Sequence, residues 1–487
     1  MKRREFLGLG AAAEAAFSFQ QRGRKPNIIL VLADNLGYGV LSCYGQQKIR
    51  TPNLDRMAAE GIRFTQAYVG GIVCAPSRCT LMTGLHTGHA RIRGNSIAPA
   101  ALTPQQQLAV KRGWRPEASL RPEDVTVARL LKKAGYRTGV FGKWGMGGAG
   151  STGTPNDQGF DEWFGYLDQL HAHDFYPGHL WYNRGEAFLT GNLGTSRKQY
   201  SHDLFTQYAL EFVERNKDAP FFLYLPYVLP ALDNELFRET GKGVAVPEYG
   251  PYKDEPWPEF ARGFAGMIWR IDRDVGRLLA QLRKLSLDQD TIVIFTSDNG
   301  PLREAGHDPK FFQDSGPFRG GIRDMYEGGI RIPAIARWPG VIQPGQVSDF
   351  AWALWDFPPT AADIAGIAPP AGIDGISILP TLRGKPQHGH PYLYWEFHER
   401  GFSQAVRMGD WKGVRLGSKN APLELYNLRT DPGEQRDVAG ENADVAKKVA
   451  AIMETARTES PLFPIRAARW TEPGRSPHLV DILNGLL

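Results

Sequence analysis

The stretch Cys74-Ala75-Pro76-Ser77-Arg78, running on as Cys79-Thr80-Leu81-Met82-Thr83-Gly84, places a thiol four residues ahead of an arginine. Pro76 suits the first turn of a helix, where a missing N–H costs nothing, so the spacing predicts a helix with Cys74 at or beside its N-cap. A helix N-terminus favours negative charge and lowers a thiol pKa. The plain alternative is a partly buried cysteine entering an ordinary helix. Two acid-amide pairs, Asp34-Asn35 and Asp298-Asn299, offer the oxygen ligands that hard divalent cations take, although each pair alone also reads as a turn or a cap. Lys143 runs from an apolar stretch into a glycine-rich loop, a setting for a working lysine rather than a solvated one. His307, in Gly306-His307-Asp308-Pro309, is an uncommitted imidazole in a loop and a candidate acid or base.

Together these residues carry a resemblance. C-x-P-S-R-x-x-x-L-x-T-G resembles the signature of the type I sulfatases, within the alkaline phosphatase-like superfamily, and the likeness runs from about residue 25 to beyond residue 460. It takes in Glu327-Gly328-Gly329-Ile330-Arg331-Ile332-Pro333 and Leu425-Tyr426-Asn427-Leu428. The resemblance implies that Cys74 is oxidised after translation to formylglycine, whose hydrate attacks sulfur and later expels sulfate, a covalent strategy that no standard side chain supplies. It implies further that Pro76 and Arg78 are read by the maturation enzyme and that Arg78 then lies against the formylglycine. Lys143 would bridge formylglycine and sulfate. Asp34, Asn35, Asp298 and Asn299, with residue 74, would bind one divalent cation, calcium being the ion expected. One branch of the family shares G-K-W-G-x-G-G and a downstream A-H-x-x-Y-P, here Ala172-His173-Asp174-Phe175-Tyr176-Pro177, which makes His173 a candidate for the substrate pocket.

The chain departs from the family pattern at four places. Asn35 stands where a second aspartate is usual, so the ligand charge falls from three negatives to two and weaker binding is expected. Gly145 replaces a common histidine. Ala231, in Pro226-Tyr227-Val228-Leu229-Pro230-Ala231, stands at an active-site histidine, and Ile322, in Phe318-Arg319-Gly320-Gly321-Ile322-Arg323-Asp324, at a lysine. Those last two groups hold sulfate and protonate the leaving alcohol in the family. Arg323 keeps a positive charge nearby for substrate binding but is no acid near neutral pH.

Positioning these residues requires a scaffold. Asn27-Ile28-Ile29-Leu30-Val31-Leu32-Ala33 and Thr291-Ile292-Val293-Ile294-Phe295-Thr296 are short continuous apolar runs ending in the acid-amide pairs. Central strands of a parallel sheet read this way, with function at their carboxyl ends. Further strands are expected at Tyr136–Phe141 and Pro220–Leu225, alternating with helical patterns at Val125–Lys133 and Phe264–Leu285. The alternation predicts an α/β domain around a central, mostly parallel sheet over residues 25–380. Past Asp374-Gly375-Ile376-Ser377 the pattern changes: short strands at Tyr392–His398, Ser403–Met408, Trp411–Leu416 and Leu423–Asn427, then a helix near Asn442–Arg457, predict a small antiparallel sheet with one helix in a C-terminal subdomain, 381–487. The long loop from Leu229 to Glu259 is expected to wall a pocket.

With 42% hydrophobic residues among 487, the chain can bury a large core. Its net charge of +5 comes from 57 basic and 52 acidic residues mixed along the chain, without the basic stripe that would signal nucleic acid. Three cysteines, Cys43, Cys74 and Cys79, make no disulfide framework and no C-x-x-C pair. Met1-Lys2-Arg3-Arg4-Glu5-Phe6-Leu7 resembles a twin-arginine export signal over residues 1–24, and no run is long and apolar enough to span a membrane, so a periplasmic or extracellular protein is expected. The leading expectation is a sulfuric ester hydrolase acting on an anionic sulfated small molecule or glycan after maturation by a formylglycine-generating enzyme. A non-catalytic relative that binds sulfated ligands, and a phosphate or phosphonate ester hydrolase on the same scaffold, stay open as alternatives.

Overall fold

The structure is a computed structural model that describes residues 24–465 apart from 98–100, 103, 105, 106 and 108–116. The export-signal reading therefore lies, but for Arg24, outside the described residues, as does the chain beyond 465.

The apolar run at Asn27–Ala33 is β1, wholly buried on both sides. Ile28, Leu30 and Leu32 enter one core while Ile29, Val31 and Ala33 enter another, as the two-residue alternation of a strand dictates. Strands follow at Ile62–Tyr68 (β2), Arg137–Lys143 (β3), Glu162–Tyr166 (β4), His179–Tyr182 (β5), Gly185–Phe188 (β6), Phe221–Pro226 (β7), Thr291–Ser297 (β8), Arg331–Arg337 (β9), Gln346–Ser348 (β10) and Trp352–Ala353 (β11). They form one sheet in the order β10-β2-β9-β8-β1-β7-β3-β4-β5-β6, with β11 also on β2. The five strands β8-β1-β7-β3-β4 all run parallel. Antiparallel β9 follows β8 on one side, and antiparallel β5 and β6 follow β4 on the other. The mostly parallel sheet matches expectation; β5 and β6, four residues each and only partly buried, give little signal in sequence.

Helices Pro52–Ala59 (α1), Cys74–Thr83 (α2), Val127–Lys133 (α3), Ser201–Arg215 (α4), Glu259–Lys284 (α5) and Phe357–Ile364 (α6) cover both faces. Those on the Leu30 side are α2, α3 and α6; α1, α4 and α5 lie on the Val31 side. The longest, α5, buries Phe264, Ile268, Ile271, Val275, Leu278 and Leu282 as a stripe at three- and four-residue spacing.

The C-terminal strands Leu393–Phe397 (β12), Ser403–Met408 (β13), Trp411–Arg415 (β14) and Glu424–Asn427 (β15) form the expected antiparallel sheet, covered by helix Ala443–Thr455 (α7). Tyr394, Val406 and Leu425 pack on Val449 and Met453 of α7, while Trp395, Ala405 and Val414 on the other face join the main core. Lys412, fully buried, pins this sheet to the turn leading into β9 through Glu327 at 3.0 Å, with Glu434 of its own subdomain beside it at 2.8 Å.

Candidate active site

Ligands of open α/β sheets bind outside the carboxyl ends of the parallel strands. Four chain segments leave those ends together here: Asp34-Asn35 after β1, Asp298-Asn299 after β8, Lys143 as the last residue of β3, and the 226–231 segment after β7. In register, Ala33 sits opposite Ser297, which brings the two acid-amide pairs side by side. Asn35 takes a left-handed turn at φ 63°, where Asn is among the few tolerated residues, and its N–H donates to Asp298 Oδ1 at 3.1 Å.

Against these ends stands the start of α2. Cys74 is its first residue, with Val73 as the N-cap and Pro76 in the first turn, as the spacing predicts. Ser77 Oγ donates to the Asp298 carbonyl at 2.6 Å, fixing this turn on β8, and the Ala75 N–H donates to Asn95 Oδ1 at 2.8 Å. One turn on, Arg78 reaches under the site: Nε and Nη2 donate to Asp298 Oδ2 at 3.0 and 2.8 Å, Nη2 also to Asp34 Oδ2 at 3.2 Å, and Nη1 to the Lys143 carbonyl at 2.6 Å. Lys143 Nζ donates to Asp34 Oδ2 at 2.7 Å. Cys74 Sγ lies 3.6 Å from Asp34 Oδ1 and accepts from Asn299 Nδ2 at 3.8 Å. The structure thus gathers Asp34, Asn35, Cys74, Arg78, Lys143, Asp298 and Asn299 into one buried cluster.

The electrostatics follow from who touches whom. Burial works to raise the Asp34 carboxyl, but Lys143 and Arg78 outweigh it and hold Asp34 below the usual range. Asp298 shares Arg78 but lacks the contact with Lys143; burial and the charge on Asp34 keep it above the usual range. Burial would lower the Lys143 ammonium, and Asp34 more than reverses that. For the thiol the helix N-terminus loses: burial, with the charge on Asp34, pushes Cys74 up to about 12, so the unmodified cysteine is no thiolate nucleophile near neutral pH.

The donor set fits a hard cation. Asp34, Cys74 and Asp298 each present one ligand atom within 4.8 Å of the others. Asn35 Oδ1 and Asn299 Oδ1 are buried with no hydrogen-bond donor on them. Buried carbonyl oxygens are nearly always satisfied, and two orphans aimed beside two carboxylates are what an oxygen-binding ion completes.

The remaining candidates sit elsewhere. His307 is buried with Nε2 2.5 Å from Asp314 Oδ2 and its ring stacked on Phe264 at 4.2 Å, a pairing that holds its loop. Arg323 pairs with Glu304, while its N–H donates to the Ile72 carbonyl at 3.1 Å, tying the loop to the approach to Cys74. Half-buried His173 has Nδ1 3.2 Å from Asn234 Nδ2, on the segment that also carries Ala231, and its charge is felt at Asp34. Ala231 follows Leu229, whose carbonyl accepts from the Asp34 N–H at 2.9 Å, and Ile322 is buried at the Pro301 carbonyl. A side chain at Gly145 would strike Gln169, whose Nε2 lies 1.8 Å from the position of an added Cβ. Sequence reasoning missed Asn95 and Gln169, which no motif marks.

Comparison with known proteins agrees with this geometry. A family model described as Sulfatase matches residues 26–367, and one described as the C-terminal part of N-sulphoglucosamine sulphohydrolase matches residues 321–459. N-acetylgalactosamine-6-sulfatase of Rattus norvegicus is 35% identical, covering 91% of this chain and 81% of its own. N-acetylgalactosamine-6-O-sulfatase of Bacteroides thetaiotaomicron is 29% identical, covering 90% and 94%. A crystal structure of Ps i-CgsB with k-i-k-neocarrahexaose superposes with a TM-score of 0.73 at 26% identity, over 92% of this chain and 95% of that one.

Proposed function

The chain belongs to the sulfatase family and is a sulfuric ester hydrolase, and on that premise we propose that Cys74, as formylglycine, is its nucleophile and that calcium is its ion. The observation that carries this reading is the juxtaposition of Cys74 with two carboxylates, two cations and two orphaned amide carbonyls in one buried cluster. Asp34, Asn35, Asp298 and Asn299 would hold the ion, which supplies Lewis-acid polarisation of a sulfate oxygen. Formylglycine supplies a hydrated aldehyde as nucleophile. Arg78 and Lys143 orient the first turn of α2 against the strand ends and hold Asp34 ionised. Asn299 Nδ2 donates toward the atom borne by residue 74 and so fixes its direction.

The substrate class is a sulfated carbohydrate. Relatives named N-acetylgalactosamine-6-sulfatase and N-acetylgalactosamine-6-O-sulfatase support it, as does the neighbour in complex with k-i-k-neocarrahexaose. Residues 25–380 carry the chemistry, the described residues from 381 to 465 form the small C-terminal subdomain, and the Arg3-Arg4-Glu5-Phe6-Leu7 sequence supports export to the periplasm or beyond. Among the described residues no helix is long and apolar enough to cross a membrane.

The test is a peptide mass measurement on protein made alongside a formylglycine-generating enzyme, paired with Cys74→Ala. Conversion of Cys74 and loss of sulfate-ester turnover in the folded alanine variant are expected. Full turnover by Cys74→Ala would overturn the assignment.

A further inference from the structure

Asp34 is ion-paired with both Arg78 and Lys143 and Asp298 with Arg78, all with side chains 0–1% exposed, so each carboxylate of the cluster already has a cation against it before any ligand arrives. Arg323, whose backbone N–H reaches the Ile72 carbonyl, pairs in turn with Glu304. Asn35 and Asn299 add oxygen atoms without charge. A divalent ion entering this cluster therefore brings two positive charges into a buried site with no net negative charge to receive them. A sulfate group approaching from the Cys74 and Asn35 side, where those residues are each 5% exposed, meets Arg78 and Lys143 as cations already engaged by carboxylates. Charges interact far more strongly at such depth than in water. Each ligand is the counter-charge that the other lacks.

We propose that this chain binds its cation and its sulfate group as an interdependent pair, each weakly alone. The inference rests on the reading of Asp34, Asn35, Asp298 and Asn299 as ion ligands. By linkage the coupling is reciprocal: the factor by which sulfate tightens calcium is the factor by which calcium tightens sulfate. A coupling of about tenfold or more is expected, within the range of roughly 5–150-fold that such site-to-site interactions span. Asn35 sets it. An aspartate there would give the empty cluster a net negative charge, tightening calcium alone and leaving less for the anion to add.

The experiment is calorimetric titration of calcium chloride into the full chain, in sodium sulfate and in sodium chloride of equal ionic strength, repeated with Asn35→Asp. Calcium should bind about tenfold tighter in sulfate, titration of sulfate with and without calcium should return the same factor, and Asn35→Asp should bind calcium more tightly in chloride with a smaller sulfate effect. A calcium affinity indifferent to sulfate overturns the coupling and leaves the ion site standing. An undiminished sulfate effect in Asn35→Asp overturns the role given to Asn35. Absence of calcium binding in both salts overturns the ion assignment as well. None of these readings requires turnover or conversion of Cys74.

Discussion

Replacing Ala231 by His together with Ile322 by Lys should raise hydrolysis of a sugar sulfate far more than that of a nitrophenyl sulfate. The reasoning begins with which groups near Cys74 can release a proton. Burial would lower Lys143, yet Asp34 holds it above its ordinary value; Arg78 resists burial likewise through Asp298. Neither is an acid near neutral pH. The two positions where the family resemblance expects a proton donor and its partner carry Ala231, 3% exposed, and Ile322, 9% exposed. The leaving oxygen must then depart with its charge, which an activated phenolate tolerates and a sugar alkoxide does not. A positioned general acid contributes ~10²–10⁴-fold, or about 2.7–5.4 kcal/mol of barrier at about 1.36 kcal/mol per factor of ten. The assay is kcat/KM on both esters for the unaltered, single and double variants, normalised to formylglycine content. The ratio of sugar to nitrophenyl rates should rise by ~10²-fold or more in the double variant, with the single variants summing to less than the pair. Equal gains on both esters would refute the reasoning. So would rapid cleavage of a sugar sulfate by the unaltered protein, and His173→Ala would then be the first substitution to make, because His173 Nδ1 lies 3.2 Å from Asn234 on the segment that carries Ala231.

Three further outcomes concern stability. Burial sends the His86 imidazole down to about 4 despite Asp374, and Nδ1 accepts from the Gly88 N–H at 3.1 Å. With the folded value below the unfolded one, the unfolded chain takes the proton first. His86 therefore contributes stability above about pH 6.5 that is lost as the pH falls toward 4, roughly 3 kcal/mol in all; urea midpoints of native protein and His86→Gln across that window should differ in slope, and equal slopes would count against a neutral His86. Lys412→Met removes the cation shared by Glu327 and Glu434, leaving Glu327 on Tyr68 and Arg331 and Glu434 on the Glu327 N–H, and should cost about 3 kcal/mol in chemical denaturation; an unchanged midpoint would mean that these remaining partners suffice. Arg78→Lys keeps the charge but loses the double contact with Asp298 Oδ2 and cannot reach every acceptor at once. It should melt between native protein and Arg78→Ala, and a melt matching the alanine variant would show that geometry, not charge, holds the cluster.

The central sheet was legible because burial on both faces leaves an unbroken apolar run: β1 and β8 stand where Asn27–Ala33 and Thr291–Thr296 predict them, and β13 matches Ser403–Met408 residue for residue. Strands β5, β6 and β10 were not, since their burial alternates or is partial and their pairing depends on distant partners. Helix α5 begins at Glu259 rather than Phe264 because Pro258 opens it before the apolar stripe starts.

At the site, residue types were readable and contacts were not. Spacing marked Arg78 as important, but nothing in it says that the guanidinium lies beneath both carboxylates and on the Lys143 carbonyl. The rule that a helix start lowers a thiol pKa fails at Cys74 because complete burial and a carboxylate 3.6 Å away outweigh the N-terminal N–H groups. His307 reads as a free loop imidazole only while its partner Asp314, seven residues on, is invisible. The departures at 35 and 322 gain meaning in the same way. One removes a negative charge from beside the ion and the other a positive charge expected beside the sulfate, so the site filled with both ligands keeps its formal charge while the attraction shifts onto the contact between ion and sulfate.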